Sequence, residues 1–288
     1  MPKLDTQRAP FPEYALFRSV CSDGLSKIRP LRNGAAKKDD PWGWNYGSGW
    51  PPSYWAYGRL RAMMTLMEAA ALAPKTVLEV AAGDGALSAC LATMGCSVSA
   101  NDIRADNLAG AVANFTNAES IRCLPGNLFD LDPAEIGQFD LVIACEIVEH
   151  VAHTVDFLRQ LKRFVAPRGR ILITTPNGAY FRNKLPTHSE IQDFTALEQQ
   201  QFKPDSDGHL FLITPQEMES LAHQAGLDVE RMVLWATPAV TGHVRLAMLS
   251  NPAFCWGCYQ LERLSQSLPF RLKEKACFNF STVLTISQ

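Results

Sequence analysis

The pattern of apolar and polar positions changes character near residue 75. Upstream, residues 1–55 are rich in Pro, Gly, aromatic and basic residues and keep no helical or strand period, so they read as an arm and not as a domain. Tyr57 to Leu72 has high helix propensity, with Leu60, Met63, Met64 and Met67 spaced to share a face and Pro74 as its stop. Beyond it, short apolar runs alternate with helical stretches. Strands are expected at 76–81, 97–102, 120–124, 139–145 and 170–175, the last led in by a turn at Pro167-Arg-Gly169. Helices are expected at 86–94, 105–115 and 154–165, the last with Phe157, Leu158, Leu161, Phe164 and Val165 on one face. A capped helix follows: Thr214 is the N-cap, Pro215 fits the first helical position, Glu217 completes a capping box, and Gly226 ends the stripe of Met218, Leu221, Ala222 and Ala225. Two final strands are expected at 228–235 and 279–286. Seven strands alternating with helices predict an α/β three-layer sandwich with a mainly parallel sheet and right-handed crossovers. Two segments, about 177–213 and 237–278, fall outside the alternation and are long enough to act as lids over a ligand.

The composition, 47% hydrophobic against 19% charged over 288 residues, supplies apolar material for one large core or two modest ones. The expected division is therefore an aromatic arm or lid at 1–55 and one domain at 56–288 that carries both insertions. With Lys+Arg 27 against Asp+Glu 29 there is no broad electropositive surface, which argues against a long nucleic acid as partner. No run of about 18 apolar residues occurs and the start has no apolar leader, so the expectation is a cytoplasmic protein without a transmembrane segment. Eight irregularly spaced cysteines read as reduced core thiols; Cys255-Trp-Gly-Cys258 lacks the second pair that a zinc site needs.

Candidate chemistry collects where strands end. In Glu79-Val-Ala-Ala-Gly83-Asp-Gly85 a buried strand gives way to a helix through small residues, which lets a ligand approach the backbone beside free N–H groups. The next strand ends in Asp102, an acid placed to accept hydrogen bonds from ribose hydroxyls. A dinucleotide phosphate loop would need Gly-x-Gly-x-x-Gly, whereas the chain has Ala-x-Gly-x-Gly. After the fourth strand comes Glu146-Ile-Val-Glu149-His150-Val-Ala-His153. If it is helical, Glu146, Glu149, His150 and His153 share one face, which suits a divalent cation, or a histidine acting as general base. Asn177, after the fifth strand, either orients an acceptor hydroxyl or makes a turn. Trp42, Trp44, Trp50 and Trp55, with Tyr46, Tyr54 and Tyr57, form either an apolar lid or pins that hold the arm; nearby Lys27, Arg29, Arg32, Lys37 and Lys38 meet an anionic substrate or simply face water.

The runs VLEVAAGDGALSACLA, NDI and FDLVIACEIVEHV resemble the class I S-adenosylmethionine-dependent methyltransferases over about residues 57–236. The resemblance implies a Rossmann-like fold and S-adenosylmethionine as cofactor. It would place Glu79, Ala81, Gly83 and Gly85 around the methionyl and ribose parts, Asp102 on the ribose and Ile103 against the adenine. Asn127 would accept from the adenine amino group through its carbonyl oxygen, and Leu128 and Cys145 would join the cofactor-binding set. The chain departs from the family at Ala81, where Gly is usual, and at Asn127, where Asp is common. The Glu-x-x-Glu-His pattern is similar to that of ubiquinone-pathway O-methyltransferases and of small-RNA 3′-end 2′-O-methyltransferases. In the RNA enzymes two Glu and two His hold a metal, and the matching residues are Glu146, Glu149, His150 and His209. By the same resemblance Glu149, His150 and His209 are the catalytic candidates. The expected reaction is O-methylation of a small hydroxylated metabolite or glycan unit. Metal-assisted methylation of an RNA terminal ribose, and a non-catalytic S-adenosylmethionine-binding partner protein, are the alternatives.

Overall fold

The computed structural model describes residues 11–18, 52–83, 85–114, 120–201, 208–241 and 252–287. The expected seven strands are present: β1 (Thr76–Val80), β2 (Ser97–Asp102), β3 (Arg122–Pro125), β4 (Phe139–Cys145), β5 (Val165–Pro176), β6 (Leu227–Trp235) and β7 (Asn279–Ile286). The helices are α1 (Tyr14–Arg18), α2 (Pro52–Leu72), α3 (Ala86–Thr93), α4 (Ala105–Asn114), α5 (Pro133–Ile136), α6 (Thr154–Lys162), α7 (Thr195–Glu198), α8 (Pro215–Gln224), α9 (Pro252–Ser265) and α10 (Phe270–Ala276). The strands form one sheet in the order β3-β2-β1-β4-β5-β7-β6. The described residues divide into two compact units, one drawn from 8–131 and 236–267, the other from 132–235 and 268–288.

In the first unit β1 pairs with β2, and β2 with β3, in parallel. Val77, Leu78 and Val80 are buried, as a strand covered on both faces requires. Helix α2 starts five residues before the expected Tyr57, at Pro52, a residue suited to the first turn because it has no N–H to leave unsatisfied. Helices α1 and α9 belong to the same unit: Tyr14 Oη donates to Pro252 O at 3.0 Å, and Phe17 lies edge-on to Tyr259 with ring centroids 5.3 Å apart. Among the described residues, the segment expected as a lid at 237–278 carries α9 and α10, and the face of α9 that bears Cys255, Cys258, Tyr259 and Glu262 is buried.

In the second unit β4 and β5 are parallel, while β7 runs antiparallel to both β5 and β6. Pro167-Arg-Gly169 does not precede the fifth strand but lies inside it; Arg168 takes φ 68° and the β4–β5 register shifts beside it, so the expected turn is a bulge. Helix α8 has its expected cap: Thr214 Oγ1 accepts from Glu217 N at 3.2 Å and Glu217 Oε2 accepts from Thr214 N at 2.7 Å. Helix α6 buries Phe157, Leu158 and Leu161, whereas Val165 has already entered β5.

The aromatic and basic arm, from Lys27 to Trp50, lies outside the described residues; Tyr54, Trp55 and Tyr57 fall on α2. Cys255 and Cys258 are buried on α9. Burial, with Cys255 and Glu262 adding to it, pushes the Cys258 thiol up to about 11, which keeps it protonated and inert.

Candidate functional site

Among the described residues between β1 and α3, Ala81 (φ 55°), Gly83 (φ 54°) and Gly85 (φ 71°) lie in the left-handed region, and Gly85 is the N-cap of α3. Glycine takes this conformation freely, whereas Ala81 holds it at a cost of about 1–2 kcal/mol. Strain of this kind persists where surrounding bonds impose it. Here Ala82 N donates to Asn101 O at 2.8 Å, and Gly83 N donates to Asp102 Oδ2 at 2.8 Å. The bend and the acid on β2 are thus joined directly. Asp102 is buried, and its Oδ1 accepts from Arg104 N at 2.8 Å and from Asn107 Nδ2 at 3.1 Å. A carboxylate offers roughly four acceptor positions. These three bonds leave room for one further donor, such as a ribose hydroxyl, without displacing any of them. Glu79, also buried, accepts a hydrogen bond from Ser88 Oγ on α3, which ties the end of β1 to the helix that follows the loop.

Ile103 follows Asp102 with 53% of its surface exposed, an apolar side chain standing in water at the strand end. Asn127 caps the 3-10 turn Leu128–Asp130, its Oδ1 accepting from Phe129 N at 3.2 Å, and Leu128 is buried. The asparagine therefore has a local structural task, while its oxygen keeps a second lone pair. Cys145, at the end of β4, is half-buried.

The segment after β4 corrects the single-face helical reading. Glu146 sits at φ 50°, only Val148–His150 form a 3-10 turn, and α6 begins beyond His153, so residues 146, 149, 150 and 153 do not share a helix face. Glu146 instead accepts from Thr174 Oγ1 at 2.9 Å and from Asn279 Nδ2 at 3.1 Å. It is not among the residues that gather as possible metal ligands. His153 pairs at the surface with Glu198 at 2.6 Å.

Glu149, His150 and His209 do come together. Glu149 is fully buried; its Oε2 accepts from Thr175 Oγ1 at 2.9 Å, and its Oε1 lies 4.0 Å from His150 Nε2 and 3.9 Å from His209 Nε2. The two imidazoles meet edge to face with centroids 5.0 Å apart. His209 is delivered by the backbone: Leu210 N donates to Glu149 O at 2.9 Å. The three donor atoms lie within 4.8 Å of one another. A carboxylate oxygen with two imidazole nitrogens suits a borderline divalent cation. Bonds of about 2.1 Å in a tetrahedral shell place ligand atoms about 3.4 Å apart, so the donors must draw in by on the order of 1 Å. Side-chain exposures of 24% and 30% leave the two histidines room to do so.

Asn177 is a clasp and does not face an acceptor. It is buried, donates through Nδ2 to Glu274 O at 2.7 Å and Cys277 O at 2.8 Å, and accepts from Ala179 N at 2.9 Å. A separate groove of about 350 Å³ is lined by His153, Asp156, His188, Phe194, Glu217 and Gln224 among others, but by none of the three clustered residues. Burial holds the His188 imidazole below its ordinary pKa, against the opposing pull of Glu217. Sequence reasoning overlooked Thr174, Thr175 and Asn279. The signal for the threonines was their position at the carboxyl edge of the strand next to the Glu-x-x-Glu run, while Asn279 is distant in sequence and left none.

Residues 54–231 match the family described as "Methyltransferase domain". A ubiquinone biosynthesis O-methyltransferase of Pseudomonas paraeruginosa (strain DSM 24068 / PA7) is 32% identical over 183 residues, covering 62% of this chain and 76% of that protein. A protein of the same name from Caulobacter sp. (strain K31) is 32% identical over 102 residues, covering 35% of this chain and 40% of its own length. Among solved structures, the CcbJ methyltransferase from Streptomyces caelestis shares the fold with a TM-score of 0.50 at 17% identity, covering 79% of this chain and 89% of that one. The glycopeptide N-methyltransferase MtfA complexed with sinefungin gives 0.51 at 12%, covering 85% and 90%. No helix among the described residues is long and apolar enough to cross a membrane. With a matched region that spans β1 to β6, the chain belongs to the methyltransferase domain family and is an S-adenosylmethionine-dependent methyltransferase with a Rossmann-like fold.

Proposed function

We propose that the chain methylates an oxygen of a small hydroxylated molecule, a metabolite or a glycan unit, in the cytoplasm. The observation that carries this reading is the buried Glu149 carboxylate facing two imidazoles just past the carboxyl end of β4, the edge where open α/β sheets bind ligands. The names of the O-methyltransferase relatives support it. In the first unit, Glu79, Ala81, Gly83 and Gly85 line the cofactor loop, Asp102 accepts from the ribose, Ile103 lies against the adenine, and Asn127 and Leu128 border it. The sulfonium is already an activated methyl donor, so the enzyme's main tasks are to align the acceptor with the methyl carbon and to remove the acceptor proton. The oxygen lone pair forms the new bond to carbon as the carbon–sulfur bond breaks, and sulfur leaves uncharged. His150 or His209 takes the hydroxyl proton, and the Glu149 carboxylate stabilises the imidazolium that results.

Glu149, His150 and His209 are also the residues that would hold a divalent cation. Such a cation, when bound, supplies Lewis acidity toward an acceptor hydroxyl. The same cluster favours methylation of an RNA terminal ribose as a second reading. Both are tested with methyl-labelled S-adenosylmethionine, a panel of hydroxylated phenols and glycosides, and an RNA oligonucleotide with a free 3′ end, each with and without a chelator. The expected result is label in the small hydroxylated acceptors and a loss of about 100-fold or more in Glu149→Gln. Label only in the RNA would favour the second reading, and label only in amines would refute both.

A further inference from the structure

We propose that Thr175 is the positioning residue of the Glu149 cluster: its hydroxyl fixes one carboxylate oxygen and thereby aims the other at the two histidines. The inference rests on the cation reading of the cluster given above.

Strand β5 ends in two adjacent hydroxyls, Thr174 and Thr175, and successive side chains on a strand point to opposite faces. The register with β7 sets Pro176 opposite Asn279, Thr175 opposite Phe280 and Thr174 opposite Ser281. Thr174 and Asn279 are therefore on one face, and together they hold Glu146. Thr175 is on the other face, where it donates to Glu149 Oε2 at 2.9 Å. Two carboxylates only three positions apart are thus sorted to opposite sides of the sheet, each by one threonine. This sorting leaves one of the two glutamates of the sequence motif in the cluster.

Glu149 and Thr175 are both fully buried, so bulk water does not stand in for the hydroxyl. With Oε2 bonded to Thr175, Oε1 faces both Nε2 atoms. Removing the hydroxyl frees the terminal torsion of Glu149, whose preferences are broad. That freedom weakens a cation held through Oε1. Partners that orient a metal ligand in this way are worth about 10–100-fold in metal affinity.

The test uses the full chain titrated with Co²⁺ alone, followed by calorimetry and by the visible absorption of the ion, with thermal melting to verify folding. Thr175→Val should weaken binding about 10–100-fold and alter the spectrum. Thr175→Ser, which keeps the hydroxyl, should stay within about threefold of the parent chain, as should Thr174→Val, which perturbs only the Glu146 side. Parent-like affinity in Thr175→Val, or equal weakening in Thr174→Val, would overturn the assignment while leaving the cation site standing. No binding by the parent chain would remove the cation site and the assignment together.

Discussion

Gly83 gives a way to separate folding from cofactor binding with a single methyl group. Its φ is 54°, and an ideal Cβ built on it meets nothing within 4 Å, so Gly83→Ala introduces no internal clash and costs only the backbone term. That term is about 1–2 kcal/mol for a residue held in the left-handed region. At about 2–4 °C per kcal/mol for a domain of this size, Tm should fall by roughly 2–8 °C. Gly95 is a natural control, with φ 92° and likewise nothing within 4 Å of an added Cβ, but it lies in the turn after α3 and not in the loop. Both variants should lose stability to a similar extent. They should differ in affinity: a methyl on Gly83 enters the open space over the loop, at the proposed cofactor site, and should weaken S-adenosylmethionine binding at least tenfold, or about 1.4 kcal/mol. Gly95→Ala should bind as the parent does. Calorimetric titration with S-adenosylmethionine and S-adenosylhomocysteine, beside thermal melting, reads both quantities. Affinity in Gly83→Ala within twofold of the parent, or equal weakening in Gly95→Ala, would refute the placement of the cofactor over this bend.

Ala81→Gly relieves left-handed backbone and should raise stability by about 1 kcal/mol, read as a higher denaturant midpoint with an unchanged slope; a lower midpoint would mean that the methyl packs usefully. Glu262, fully buried on α9, accepts from Ala236 N at 3.2 Å and Thr237 N at 2.5 Å, and burial still pushes its carboxyl up to about 7 from an ordinary 4.5. Because the folded state keeps the proton longer than the unfolded chain, this contribution is present below pH 4.5 and lost as pH rises through 7, amounting to about 3 kcal/mol. Denaturation at pH 5 and pH 8 should show that loss in the parent and a flatter dependence in Glu262→Gln; identical slopes would contradict it. His153 and Glu198 are about half exposed, so His153→Ala should change stability by less than about 1 kcal/mol and leave Co²⁺ binding intact; weakened binding would return His153 to the cluster.

The parts of this structure that were legible in the sequence are those governed by neighbours along the chain. Parallel strands buried on both faces print as continuous apolar runs, as at Leu141 to Ala144, and the α8 cap is written within four residues. The bend beside Asp102 was legible because small residues at a strand end have few other uses. What failed turned on single backbone torsions. One left-handed residue, Glu146, breaks the helix that the spacing of 146, 149, 150 and 153 implied, and another, Arg168, carries an expected turn into a bulged strand. Long-range partners were equally hidden: Asn177 does make the expected turn, accepting from Ala179 N and Tyr180 N, but the carbonyls of Glu274 and Cys277 that it also clasps lie far along the chain. The pairing of Thr174 with Glu146 and of Thr175 with Glu149 depends on the register of β5 against its neighbours, which no local pattern encodes.

The most direct test of the central claim is a calorimetric titration of S-adenosylmethionine into the parent chain and into Asp102→Asn. The substitution keeps the size of the side chain but replaces an acceptor oxygen with a donor that neither Gly83 N nor a ribose hydroxyl proton can bond. Losing hydrogen bonds to a charged acceptor costs about 1.5–3 kcal/mol, so affinity should fall by roughly 10–100-fold. Saturable binding by the parent with that loss is the predicted result; equal affinity in the two proteins would contradict it.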